Sequence, residues 1–213
     1  MFIKFVFLSL LFISGCSSVY LNTLEKMGIP KRDVMVHRVE KARDTQEEAK
    51  QQFKSALEQF MAVTHYSAND DLEEIYNRLN SEYENSVDKA NEIKKRIADI
   101  EDVSQALFDE WEEELTQYSS ASLRRNSQRK LTQTKRQYKQ LISAMKKAEA
   151  KMQPVLAVFK DQVLYLKHNL NARAIASLKD DLGGIQSDVS NLIQAMEQSI
   201  NEANSFIETM EKQ

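Results

Sequence analysis

The groups in this chain that could do chemistry are few. They are one thiol, Cys16, three imidazoles, His37, His65 and His168, and a basic run at Arg124, Arg125, Arg129 and Lys130. A metal centre in a helical protein needs ligands one turn apart, as in Glu-x-x-His or His-Glu-x-x-His, and neither pattern occurs. His37 and Glu40 have turn spacing, but a pair without further ligands reads as a solvated helix contact. A single cysteine excludes a cysteine-ligated zinc site. Beyond Gly28 the only glycines are Gly183 and Gly184, so there is no phosphate-cradling loop and no Gly-x-Ser-x-Gly elbow. No catalytic residue, metal or cofactor is expected, and the chain reads as a non-enzyme.

Cys16 has a different chemistry available. Met1 to Lys4 is a short start with one positive charge, Phe5 to Ile13 is apolar apart from Ser9, and Ile13-Ser14-Gly15-Cys16 closes the segment. A charged start, a short apolar run and small residues at a cleavage point describe a secretory signal peptide. The run is shorter than the roughly 20 residues a membrane span requires. The Ile-Ser-Gly-Cys order resembles a bacterial lipobox, which implies acylation of the Cys16 thiol and cleavage just before it. Acylation would also remove a free thiol that is a liability in an oxidising compartment. Ser17 after the cysteine, by likeness to Gram-negative lipoproteins, implies delivery to the outer membrane, facing the periplasm. Residues 1–15 are therefore expected to be a signal peptide, 16–30 a lipid-anchored tether and 31–213 one elongated domain.

The elements that would carry these groups are helical. No proline or glycine occurs from Lys31 to Gln153, a run rich in Ala, Glu, Lys, Gln, Leu and Arg. The fold class is all-α, an elongated antiparallel helical bundle with a long coiled-coil hairpin. A first helix is expected from Lys31 to Thr64, with Asp70 and Glu73 at capping-box spacing before the second. Leu72, Tyr76, Leu79, Tyr83, Ser86, Ala90, Ile93, Ile97, Ile100, Ser104, Leu107 and Trp111 keep the alternating three- and four-residue steps of a coiled-coil seam. Ser119-Ser120-Ala121-Ser122 interrupts this seam with residues that cap helices. A third helix follows to about Leu170, kinked at Pro154, and Gly183-Gly184 is expected to give a turn or swivel before the last.

Charge selects the pairing of the second and third helices. Asp70 to Tyr118 carries 16 acids and 5 bases, whereas Arg124 to Lys151 carries 10 bases and 1 acid. Folding back at Ser120 sets Glu110 near Lys130 and Glu101 near Lys139, as flanking charges do in choosing a coiled-coil register. The first helix would reach only to about Val103 of the second. Residues Ser104 to Arg136 would then project as a two-helix tip beside the tether. The whole chain has a net charge of only −3, which together with a periplasmic address speaks against nucleic acid as a partner. The basic run at the tip, Arg124, Arg125, Arg129 and Lys130, could instead meet phosphates of lipid headgroups.

One further stretch stands out. Lys167, His168, Asn169, Asn171 and Arg173 crowd polar groups among Leu166, Leu170 and Ile175, and two asparagines lower helix propensity there. Such a cluster either fixes register or presents a contact surface. This stretch, the Cys16 motif and the ending SINEANSFIETM resemble an uncharacterised family of proteobacterial coiled-coil lipoproteins, a domain of unknown function, over nearly the whole chain. The resemblance implies fold and location and supplies no catalytic residue. The expected function is structural or scaffolding, through an envelope protein bound to Lys167–Arg173 or to the basic run. Self-association into a structural oligomer is the alternative, and an enzyme or metal-dependent module around His168 the lesser one.

Overall fold

The computed structural model describes residues 16–63, 71–169 and 172–212, with residues 16–19 and 172–177 as backbone only. Five helices follow one another: α1 (Cys16–Lys26), α2 (Lys31–Val63), α3 (Leu72–Leu115), α4 (Ala121–His168) and α5 (Ala172–Glu211). Helices α2 to α5 form an antiparallel four-helix bundle. Each packs on two others around a closed square, with α2 against α3 and α5, and α4 against α3 and α5. The all-α, elongated reading holds, and no strand occurs among the described residues.

The bundle is held by one continuous seam of apolar side chains drawn from all four long helices, including Phe53, Ile100, Met145 and Leu192. Towards the end where α2 finishes, Phe60 and Phe159 stack across the bundle at 4.6 Å between ring centroids, and Phe53 flanks Phe159 at 6.3 Å. All three rings are fully buried. One polar contact crosses the core: Ser199 Oγ donates to Gln46 Oε1 at 2.8 Å, joining α5 to α2.

Local chemistry sets the helix ends. Asp71, in extended conformation, accepts from the backbone N–H of Glu73 at 2.9 Å and of Glu74 at 3.3 Å, which starts α3. The cap is thus one residue later than the expected Asp70, which lies outside the described residues. Ser120 caps α4 as the serine run suggests, accepting from Leu123 N–H at 3.4 Å. Helix α4 passes through Pro154 and stops at Asn169, whose side chain donates to the Tyr165 carbonyl at 3.0 Å.

Three expectations are corrected. Gly183-Gly184 makes no turn, because α5 runs through it as continuous helix, and the chain breaks instead between the end of α4 at His168 and the start of α5 at Ala172. Asn169 closes α4 by satisfying one of its otherwise unpaired terminal carbonyls. Residues 16–26 are helical rather than a plain tether, and α1 packs on α2 and α3 with Leu21 fully buried. The break comes only at Gly28, whose φ of 87° lies in the left-handed region that glycine adopts without strain.

The projecting tip is also shorter than expected. Lys31, at the start of α2, meets Glu110, and Gln137 Nε2 donates to Thr209 Oγ1 near the end of α5. Only residues from about 111 to 136 extend past the other helices. The α2–α3 pairs Arg38–Asp99, Glu48–Lys89 and Ser55–Glu82 keep the register expected of a turn near Ala68, and Lys31 reaches Glu110 because long side chains on antiparallel helices meet about a turn away.

Candidate functional site

The end of the bundle at which α2 starts and α5 finishes is the chemically richest part of the described chain. There α3 and α4 continue alone as a hairpin. Trp111 on α3 is half-buried against α4, and its Nε1 donates to Ser127 Oγ at 2.8 Å. Beside it, Phe108 meets Tyr138 edge-on at 5.4 Å, with Lys135 Nζ 5.3 Å above the Phe108 ring. A cleft of about 410 Å³ opens along the hairpin, lined by Arg32, Trp111, Glu114, Tyr118, Asn126 and Lys130 among others. The basic run lies on the first turns of α4 with Arg124, Arg125, Arg129 and Lys130 all exposed. Arg129 also donates to Asn126 Oδ1.

Acid meets base between α3 and α4 as the charge pattern predicts, but with other partners. Lys135 pairs with Glu112 and Lys146 with Glu101, while Glu110 turns to Lys31. Side chains on a helix lean towards its N-terminus. On antiparallel neighbours the two leans diverge, so long side chains meet about a turn away from the partners that opposed backbone positions suggest.

A buried ion triad joins three helices at the hairpin's root. Lys31 Nζ donates to Glu110 Oε1 at 3.0 Å and to Glu25 Oε2, its own side chain only 5% exposed. Burial opposes the Lys31 charge, but its hydrogen bonds to both carboxylates overcome it and lift the ammonium above the usual lysine range. The Lys31 bond holds the Glu25 carboxyl below its ordinary value. Burial pushes Glu110 the other way, upward, against the pull of Lys31. The triad was invisible in the sequence because it depends on α1 being a docked helix. A segment read as a tether offers Glu25 no neighbour.

The other predicted positions lie at the opposite end. Lys167 and His168 are exposed at the C-terminus of α4, and Asn169 is its cap. Asn171 lies outside the described residues, and Arg173 is described as backbone only. Along α4 the separation from Arg125 to Lys167 is 42 residues, about 63 Å at 1.5 Å per residue. The two predicted surfaces are therefore independent of each other. Nearby, Gln162 Nε2 donates to Asp181 Oδ2 at 2.8 Å and ties α4 to α5 just before the turn.

His37 sits 3.7 Å from Glu40 and is well exposed, a solvated pair. His65 lies outside the described residues. No group of three or more metal-ligating side chains occurs among the described residues, and none of their helices is long and apolar enough to cross a membrane. Cys16 is the first residue of α1, described as backbone only.

Residues 20–210 match the model of a family described as "Protein of unknown function (DUF2959)". No curated protein and no solved structure matches this chain.

Proposed function

The chain belongs to DUF2959, a family of proteins of unknown function, and we propose that it is a lipid-anchored helical bundle that positions a binding surface in the bacterial cell envelope. The observation that carries this reading is the Ile13-Ser14-Gly15-Cys16 order immediately before α1. In this reading the peptide bond before Cys16 is cut, the thiol carries diacylglycerol, and the protein stands on the periplasmic face of the outer membrane. Several acyl chains hold a protein firmly, since each buried methylene contributes about 0.8 kcal/mol. The four-helix body then acts as a spacer. Its longest helix, α4, has 48 residues and measures about 72 Å. The partner is an envelope protein met by one of the two ends, and no reaction is assigned to the bundle.

The anchor is tested by the mass of the N-terminal peptide from the native protein. A diacylglyceryl-modified Cys16 is expected, and Cys16→Ser is expected to leave an uncleaved or soluble chain. An unmodified Cys16 in mature protein refutes the reading. The partner is tested by photoreactive residues placed at Gln128 and Lys167 in living cells. A discrete adduct at one of them locates the working end, whereas adducts of twice the monomer mass alone would favour a homo-oligomer.

A further inference from the structure

The large apolar side chains that the bundle leaves in water are unevenly placed. Seven are exposed among the described residues, and five of these, Tyr20, Met27, Ile29, Tyr118 and Leu123, belong to α1, its turn or the hairpin apex. The Lys31 triad holds α1 and its turn against α3 at Glu110, so these side chains share one end of the molecule. The apex is also basic. From Leu115 to Ala148 the chain has no acid, and Arg124, Arg125 and Arg129 stand exposed on the first three turns of α4. The acids of the neighbouring arm stop at Glu114. Two that would cancel this charge are engaged lower down, Glu112 by Lys135 and Glu110 by Lys31.

The start of α1 defines what lies close to this end. Cys16 is nine residues before Glu25, about 14 Å of helix, and the apex begins about six residues beyond Glu110, roughly 9 Å. Whatever holds Cys16 is within a few tens of ångströms of the apex. Exposed arginines interleaved with an exposed tyrosine and leucine suit one kind of surface. Anionic headgroups draw the guanidinium groups, while Tyr118 and Leu123 enter the headgroup boundary.

We propose that the hairpin apex is a second membrane contact, docking Arg124, Arg125, Arg129, Tyr118 and Leu123 onto an anionic lipid surface beside the anchor. The proposal rests on the anchored reading above and deepens it. With two points fixed, the bundle is held in one orientation to the bilayer, and its far end is presented at a set height instead of swinging about a single lipid.

The test uses the full, acylated chain with Gln128→Cys at the apex carrying a polarity-sensitive fluorophore. It is reconstituted into vesicles of phosphatidylcholine alone or of phosphatidylcholine with phosphatidylglycerol. A blue-shifted emission is expected on the anionic vesicles only. It should disappear when ionic strength is raised from about 0.1 M to about 1 M, which shortens the Debye length from about 10 Å to about 3 Å. The combined Arg124→Gln, Arg125→Gln, Arg129→Gln variant should weaken apex partitioning about fivefold per charge, roughly a hundredfold in all. These side chains are exposed, so helicity serves as the check that the variant folds. The same probe on Lys167→Cys at the opposite end should stay in water.

An equal shift on neutral vesicles, or no shift on anionic ones, overturns the proposal. So does a probe that stays in water while Gln128 yields a discrete protein adduct in cells, which would give the apex to a protein partner. Failure of the anchored reading is separable. If native Cys16 is unmodified, a Cys16→Ser chain added to preformed vesicles reads the apex alone by flotation. Flotation with anionic but not neutral vesicles supports the docking surface, and flotation with neither refutes it.

Discussion

The two ends of the bundle solve the problem of finishing a four-helix core in opposite ways. At the α4–α5 turn the core runs almost to the end, with Phe60 and Phe159 stacked and fully buried and Asn169 closing α4. At the other end two helices outrun their neighbours, and the hairpin is left with a half-buried tryptophan and an edge-on Phe108–Tyr138 pair. The ion triad of Lys31, Glu25 and Glu110 stands at the level where α2 begins. Length mismatch between helices is the cause. Helix α3 has 44 residues and α4 has 48, against 33 in α2 and 40 in α5. The surplus of α3 and α4 is collected on one side. One end is spent on stability, and the other leaves side chains free to meet a second body.

The strongest way to break this contrast is at the aromatic stack. Phe159→Ala removes a fully buried ring between Phe53 and Phe60, and is expected to destabilise the protein by about 3–5 kcal/mol. Phe108→Ala at the hairpin root should cost less, because Phe108 retains some exposure and two helices can close over the space more easily than four. Urea unfolding of both variants measures the difference. Equal losses would mean that the hairpin end is as tightly built as the stack, and the asymmetry would fall.

Next in size is the triad. Lys31→Met keeps the volume but leaves Glu25 and Glu110 facing each other without a cation. Breaking a buried ion pair costs about 3–5 kcal/mol, which here is discounted to about 2–3 because both carboxylates remain about a third exposed. By comparison Lys146→Ala, which removes an exposed pair with Glu101, should cost no more than about 1 kcal/mol. The pH dependence carries its own signature. Folding raises the Lys31 pKa, so its contribution is complete below 10.5 and is lost as pH rises through the folded value. Folding lowers Glu25, so its contribution is present above 4.5 and fades as pH falls through the folded value. Glu110, raised by burial, opposes it, costing stability as pH rises from 4.5 through its folded value. Melting temperatures of wild type and Lys31→Met should therefore differ most at neutral to mildly alkaline pH and converge above the lysine range. A constant difference up to strongly alkaline pH would show that Lys31 acts through packing and not through charge.

What could be read from the sequence followed from period and composition. The seam of α3, the serine cap of α4 and the absence of helix breakers specify the long helices because each is a local property of the chain. The acid-rich and base-rich arms specified that α3 and α4 pair, while the particular partners depended on side-chain lean. Contacts between distant segments were hidden. Glu25 and Glu110 look like ordinary surface acids until α1 is docked, and nothing local to Leu21 marks it as buried. Of the surfaces singled out, the basic run does lie on an exposed apex. The polar stretch was read as a surface or a register lock, whereas at Asn169 its immediate work is ending a helix.

The smallest effect addresses the clearest disagreement between local pattern and fold. A Gly-Gly pair signals a turn, because glycine is the residue that weakens a helix most. In the bundle, Gly183 and Gly184 lie inside α5, and a Cβ added at either meets no other atom within 4 Å. Neither has the positive φ that would require glycine. The cooperative packing of Leu178, Ile185 and Val189 holds the helix through a site where its backbone is weakest. Alanine at both positions should then stabilise the protein by about 0.5–1 kcal/mol each, through helix propensity and a less flexible unfolded chain. The gain should appear as a higher unfolding midpoint with unchanged denaturant slope. It should also protect amides around residue 184 from hydrogen exchange, bringing that segment of α5 closer to the stability of the aromatic stack. A double variant that is destabilised would place a bend at this pair and restore it as the swivel of the far end.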